Sequence, residues 1–274
     1  MQDNLQKTLS EFAGAGILFE LEEEITINKK EARGQKEEGP PTGGCAADSP
    51  ARGEFPLIIP KAEPVGGAAV LSEARAAAAA AGDMGALLAA IKAFDRRTPT
   101  AKLAKNIVPP KTAEKEEGGR KKEEGRILVI TDGPGKDDDE AGVIMSGEGG
   151  AMFAKMVAAI GLNAAEISVF PVVFHKLPGD RTPTNDEMAV GKVFFERFAE
   201  LAPPEFILTL GQSAFSFAVP GGGTLVRGRG KVFEAYGAKV VPTFGLKLLM
   251  AKPEHKKDAW ADLQKFKEVI GQKI

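Results

Sequence analysis

Cysteine, histidine, tryptophan and tyrosine are nearly missing from this chain: 274 residues include one Cys, two His, one Trp and one Tyr. The single Cys45 excludes an internal disulfide framework and any cysteine-ligated cluster or zinc site built by the chain itself. With only His175 and His255 available, a Ser–His–acid triad has few ways to form. Long apolar runs are missing as well, and none reaches the length of a membrane span. The short run FAGAGILF lacks a strongly basic lead-in and is followed by ELEEE, so it does not read as a secretory signal. The expectation is a cytoplasmic monomer without membrane contact. A strong charge of one sign is also absent, since the net charge is −2. Its distribution is uneven: residues 221–274 carry eleven Lys and Arg against five Asp and Glu. That local excess fits a phosphate-facing surface, and it fits a solvated surface of mixed charge equally well.

What is present is 43% apolar, enough for a core. Residues 1–28 read as an amphipathic N-terminal helix, with Leu5, Leu9, Phe12, Ile17 and Leu18 on helical spacing. Residues 29–68, rich in Gly, Pro, Lys and Glu, read as a flexible low-complexity linker. Residues 69–274 read as one α/β domain with a polar insert at about 110–125. It begins with one or two helices, LSEARAAAAAAGDMGALLAAIKAF, interrupted at Gly82 and Asp83. From residue 126 strands and helices alternate. RILVIT, ISVFPVVF, EFILTL and AKVVPTF are strands, each followed by a helical stretch. The helix after the first strand stops at Gly161, and the helix after the second opens on a Thr184 cap with Glu187 three residues on. This alternation predicts a three-layer α/β/α sandwich around a central four-stranded parallel sheet.

In such a sheet the carboxyl ends of the strands share one edge, where ligands bind. Four loops meet there: TDGPGKDDD, FHKLPGDRTPT, LGQS and TFGLKLL. The first has a lysine but no Gly-Lys-Ser/Thr ending, and its acids would repel phosphate, so it is not a nucleotide P-loop. Its acids read as solvated charges ahead of a helix. No metal site is expected from them. Asp132 differs, because it stands at the strand end where a carboxylate can hold a water as general base. LTLGQSAF is similar to a nucleophile elbow, but a tight strand-to-helix turn explains the same letters.

In order and in register, these loops resemble those of the uracil-DNA glycosylase superfamily, most closely its family-4 branch, over residues 84–270 apart from the inserts. TDGPGKDDDEAGVIMSGEGG stands where that branch has Gly-Glu-Ala-Pro-Gly, acids and Gly-x-Pro-Phe-Val-Gly. KLPGDRTPT resembles its Arg-Pro-Pro-Gly-Asn-Arg-x-Pro-Thr. VRGRG is similar to its Arg-Gly element, and VVPTFGLKLLMAKPEHKKDAWADLQ to its Pro-Thr-Phe-His-Pro loop and following helix. The resemblance implies a base flipped out of DNA into a pocket at the strand ends. In the family an aromatic ring stacks on that base and an Asn reads its edge. A first-loop carboxylate serves water or the sugar cation, and a fourth-loop His stabilises the departing base.

Carried onto this chain, the carboxylate is Asp132, in a turn with Gly133, Pro134 and Gly135. The ring position holds Met145, the Asn position Pro171 and the His position Gly245. Leu246 and Leu248 are wedge candidates. Arg181, Arg227, Arg229 and Lys247 are the expected DNA contacts, with Lys252, Lys256 and Lys257 continuing the basic stripe. The branch's iron–sulfur cysteines are replaced, two of them by His175 and Gly191, so no cofactor is expected. His175 itself reads as a solvent-facing loop residue, with a compensating catalytic role as the alternative. The function implied is a glycosylase-like protein of base-excision repair with impaired or absent uracil excision. The alternatives are a glycosylase of altered base preference and a non-catalytic DNA-binding or interaction module.

Overall fold

Alternate residues of each strand face opposite layers, and that parity organises the domain. A computed structural model describes residues 67–113 and 126–271. The expected N-terminal helix, nearly all of the expected linker and residues 114–125 of the insert lie outside them. Strand β1 (Ile127–Thr131) sends Leu128 and Ile130 to one side and Val129 to the other. Strands β2 (Ser168–Pro171), β3 (Phe206–Leu210) and β5 (Ala238–Thr243) divide in the same way: Phe170, Ile207 and Val240 join the first side, Val169, Leu208 and Val241 the second.

The first side is covered by helices α1 (Ala68–Ala80), α2 (Met84–Asp95) and α5 (Asn185–Leu201). It is dominated by phenylalanine. Phe170 sits 5.1 Å from Phe195, 5.4 Å from Phe198 and 5.6 Å from Phe174, all edge-to-face. That geometry sets positive ring edges against negative ring faces. Each such ring, fully buried, contributes about 2 kcal/mol from removal of apolar surface alone. The second side is covered by α4 (Gly147–Ala159) and the last helix, α9 (Lys256–Gly271), through Phe153, Val157, Leu263 and Phe266.

The sheet has five strands in the order β2-β1-β3-β5-β4, where β4 is Phe233–Ala235. The four expected strands are mutually parallel where they pair. The fifth, β4, pairs antiparallel with β5 at the edge. It escaped the sequence reading because three residues, none of them buried, make no apolar run. The opposite edge strand, β2, ends at Pro171, earlier than ISVFPVVF suggests. Its outer side is partly covered by residues 107–111: Lys111 exchanges both backbone bonds with Val169, at 2.8 and 2.9 Å. The first residues of the expected insert are thus an edge cover for the sheet.

Helix boundaries follow local chemistry. Asp83 caps α2 by accepting from the Ala86 N–H at 2.8 Å. Thr184 and Glu187 form the reciprocal capping box at the start of α5. Helix α4 ends at Ala159, and Gly161 turns the chain away with a φ of +85° that only glycine adopts freely. No helix among the described residues is long and apolar enough to cross a membrane.

Candidate active site

The carboxyl ends of β1, β3 and β5 and the loop after β2 surround a cavity of about 880 Å³. Asp132, Gly133, Pro134, Gly135, Met145 and Gly245 all line it, as do Arg181, Leu246, Lys247 and Leu248. Pro171 does not. It is buried at the end of β2, paired with Thr131, and Val173 lines the cavity two residues further on. The strand ends at Pro171 and the chain bends over 172–174, so position 173 rather than 171 reaches the cavity, a correction to the expected place of Pro171 among the pocket residues.

Asp132 is held from two sides. It follows β1 directly, and its Oδ1 accepts the Ala214 N–H at 2.8 Å from the first turn of α6 (Gln212–Ala218). Gly211, with φ of +109°, brings that helix so close that a Cβ there would fall on the Asp132 carboxylate. The protein hems the carboxylate in, and this burial lifts its pKa from the ordinary 3.8 to about 6. The Ala214 and Ser213 amides and the more distant Lys247 pull the other way without cancelling it. At neutral pH Asp132 is ionised, and near pH 6 it exchanges a proton.

Of the four acids that follow, Glu140 is exposed as expected, but the other three are not merely solvated charges. Helix α3 (Lys136–Ala141) runs through them, and three carboxylates bind backbone N–H groups. Asp138 accepts from Gly135 at 2.8 Å and Ser146 at 2.7 Å, closing the loop on itself. Asp137 accepts from Glu148 at 3.2 Å, in the first turn of α4. Asp139 accepts from Asn106 at 2.8 Å and Lys105 at 3.1 Å, tying the loop to the chain before the insert. Charge-assisted bonds of this kind are among the stronger ones. They hold Met145 in the left-handed region at φ of +60°, an unusual backbone for a residue with a long side chain. Gly150 is needed beside it, because a Cβ there would meet the Met145 carbonyl.

Phe244 is the one benzene ring lining the cavity among the described residues, and it is 6% exposed. The Arg229 guanidinium lies 4.1 Å from its centroid and the His255 ring 4.7 Å from it. Its surface is therefore already largely in contact with the protein.

His175 is not a solvent-facing residue. It is 3% exposed. Its Nδ1 is 2.7 Å from Asp95 Oδ2 and its Nε2 is 2.8 Å from Thr100 Oγ1. Both ring nitrogens are engaged by buried partners, so the ring serves as a cross-tie between the end of α2 and the loop after β2. It lines the cavity but has no free nitrogen for a ligand. Gly191 on α5 approaches Val172 so closely that a Cβ would strike the Val172 carbonyl oxygen. The two positions expected to replace cysteine ligands thus do not fit an iron–sulfur cluster. One is committed to hydrogen bonds and the other has no room for a side chain.

The cationic residues divide. Arg229 is structural: its Nε donates to Asp262 Oδ2 at 2.7 Å and its Nη1 lies 3.3 Å from Asp258. The same Asp262 oxygen accepts from Thr243 Oγ1 at 2.9 Å. Burial raises the Asp262 pKa, and the bonds from Arg229 and Thr243 only partly offset it. Arg181 donates to both oxygens of Glu187 at 2.6 and 2.8 Å. Burial works to raise the Glu187 pKa, but Arg181 and the Thr184 N–H outweigh it and hold it low. Arg227, Lys252 and Lys257 are exposed. Arg227 belongs to a short helix, α7 (Leu225–Gly228). Leu246 and Leu248, on α8 (Leu246–Ala251), are only partly exposed and pack on neighbouring core clusters. The apolar side chains most exposed at the cavity rim are Val226 at 77% and Met250 at 41%, which the sequence reading missed. Neither breaks the local pattern, so no sequence signal marks them.

The family model for the uracil DNA glycosylase superfamily matches residues 119–264, more than half of the chain. The chain belongs to the uracil DNA glycosylase superfamily. It is 30% identical over 149 residues to the type-4 uracil-DNA glycosylase of Thermotoga maritima, covering 53% of this chain and 78% of that protein. The type-4 enzyme of Archaeoglobus fulgidus is 27% identical over 159 residues, with 55% and 80% covered. That of Saccharolobus solfataricus is 27% identical over 181 residues, with 63% and 80% covered. The superfamily match spans β1 to α9, and so includes the loops that build the cavity.

Proposed function

We propose that the protein binds DNA and receives an extruded base in the cavity at the strand ends, with uracil excision impaired or absent. The observation that carries this reading is the pairing of Asp132 with Gly245 in one cavity. The carboxylate that would hold water or balance a developing sugar cation is in place and ionised at neutral pH. The facing loop begins with Gly245, which offers no side-chain donor to a departing base. A preorganised donor to a developing anion is worth about 3–4 kcal/mol in the transition state.

The base-reading side is equally bare. Proline at 171 has no amide and lies outside the cavity lining, and the apolar Val173 stands nearby. A uracil entering there leaves polar edge groups unpaired, at about 1–3 kcal/mol each. Met145 packs on a base but offers no ring. These effects are not additive, yet two of them together remove most of the rate. Exposed Arg227, Lys252 and Lys257 supply the sequence-independent attraction to phosphate.

The presence of Asp132 also favours a second reading, excision of a base other than uracil. One assay decides between them. Purified protein is incubated with single- and double-stranded oligonucleotides carrying uracil, hypoxanthine or other lesions, and free base is measured. Salt-dependent binding with no uracil release is the expected result. Release of a different base, lost in Asp132→Asn, establishes the second reading. Rapid uracil release overturns the first.

A further inference from the structure

Across the mouth of the cavity, two lysines from different loops meet on one carboxylate oxygen. Asp180 Oδ1 lies 3.2 Å from Lys247 Nζ and 3.3 Å from Lys176 Nζ. Lys176 and Asp180 belong to the loop after β2, and Lys247 belongs to α8 after β5. Asp180 and Lys247 both line the cavity. We propose that Lys176 and Lys247 form a clamp for one DNA phosphodiester at the cavity mouth, and that Asp180 occupies this clamp as an internal phosphate mimic until DNA displaces it. The inference rests on the DNA-binding reading above and adds a named subsite and its regulation.

Three observations support it. First, the charge matches: a phosphodiester and a carboxylate each carry one negative charge on paired oxygens, and both are bound by ammonium groups. Second, the occupant is easily displaced. Asp180 and Lys247 side chains are 54% and 58% exposed and Lys176 is 25% exposed, and ion pairs so open to solvent shift an equilibrium by no more than about fivefold. Third, the position is set by the backbone. Asp180 has φ of +53°, and the preceding Gly179 has φ of +64°. Asp and Asn tolerate that region better than other side chains, so the turn presents a short acid at this point. Burial alone would raise the Asp180 pKa, but Lys247 and then Lys176 hold it below the ordinary carboxylate value. The carboxylate is therefore charged wherever DNA would bind. Nearby Arg181 is held by two bonds to Glu187 and a third to the Thr182 carbonyl, and Glu187 already balances its charge.

The test is anisotropy titration of a short fluorescein-labelled duplex with the full chain, from low to physiological salt. Asp180→Asn keeps the positive φ and removes the charge, and Asp180→Gly serves as a second variant of compatible backbone. Both should tighten binding by up to about fivefold at low salt, the most an exposed ion pair supplies. Both should also steepen the dependence of log K on log salt by up to about 0.9, because no freed carboxylate takes up a cation on binding. Lys247→Ala should weaken binding and shrink the gain from Asp180→Asn. If the unaltered protein binds DNA but neither Asp180 variant binds more tightly, the clamp is overturned and the DNA reading survives. If none of these proteins binds at low salt, the DNA reading falls and the clamp with it.

Discussion

The Asp132 carboxylate fills the space where a side chain on Gly211 would stand. Strand β1 delivers the acid, and the turn after β3 makes room for it. The fold therefore spends a φ of +109° at Gly211 to place a charged group against the first amides of α6. Glycine adopts this backbone freely, whereas any other residue there would meet both an unfavourable φ and the carboxylate.

The environment of Asp132 makes stability fall as pH rises. Its pKa is about 6 in the folded protein against an ordinary 3.8, so the folded state holds the proton more tightly. Between those values the unfolded chain loses its proton first, and the penalty is fully present above pH 6. Asp132→Asn should therefore raise Tm at pH 7–8 and lose that advantage near pH 4. The rise from 3.8 to about 6 limits the gain to about 3 kcal/mol, reduced by the weaker bond an amide accepts from Ala214. Thermal melts of both proteins across pH check the sign.

A donor can be restored at the fourth loop. Gly245 has φ of −71° and ψ of 149°, ordinary for any residue, and a Cβ there meets nothing closer than 3.5 Å. Gly245→His should fold and should bring uracil release at least about tenfold above the assay background that the unaltered protein gives. Adding Asp132→Asn to that variant should abolish the gain. A base-release assay on a uracil oligonucleotide reads both.

Two arginines of VRGRG should behave in opposite ways. Arg229→Ala strands Asp262, which is 2% exposed, and should cost about 3–5 kcal/mol in chemical denaturation. Arg227→Ala touches nothing comparable and should stay within about 0.5 kcal/mol of the parent. Its effect should appear in DNA binding instead, as a salt slope smaller by about 1.

Replacing His175 by Ala leaves Asp95 and Thr100 buried without their shared partner. Roughly 3 kcal/mol of stability should be lost in urea. Any base release by the protein should survive at a temperature where the variant is folded, since Asp95 and Thr100 already take both ring nitrogens. A selective loss of release without loss of stability would return His175 to the chemistry.

The layers of this fold, its four main strands and the cap at Thr184 were legible in the sequence because each depends on residues a few positions apart. RILVIT and EFILTL name their own buried strands, and Thr184 with Glu187 names its own cap. The loop resemblance likewise brought Asp132, Met145 and Gly245 to one edge, since a parallel sheet places all its strand ends together. What each polar side chain does at that edge was decided by partners far along the chain. Asp139 bonds residues 33 and 34 positions away, Asp180 a lysine 67 away, and His175 an acid 80 away. A charge read from sequence is a charge without a partner. Only the tertiary structure, by choosing which opposite charge or N–H comes within hydrogen-bond reach, determined that Arg229 and His175 stabilise the fold while Arg227 stays exposed and Lys247 meets Asp180 at the cavity mouth.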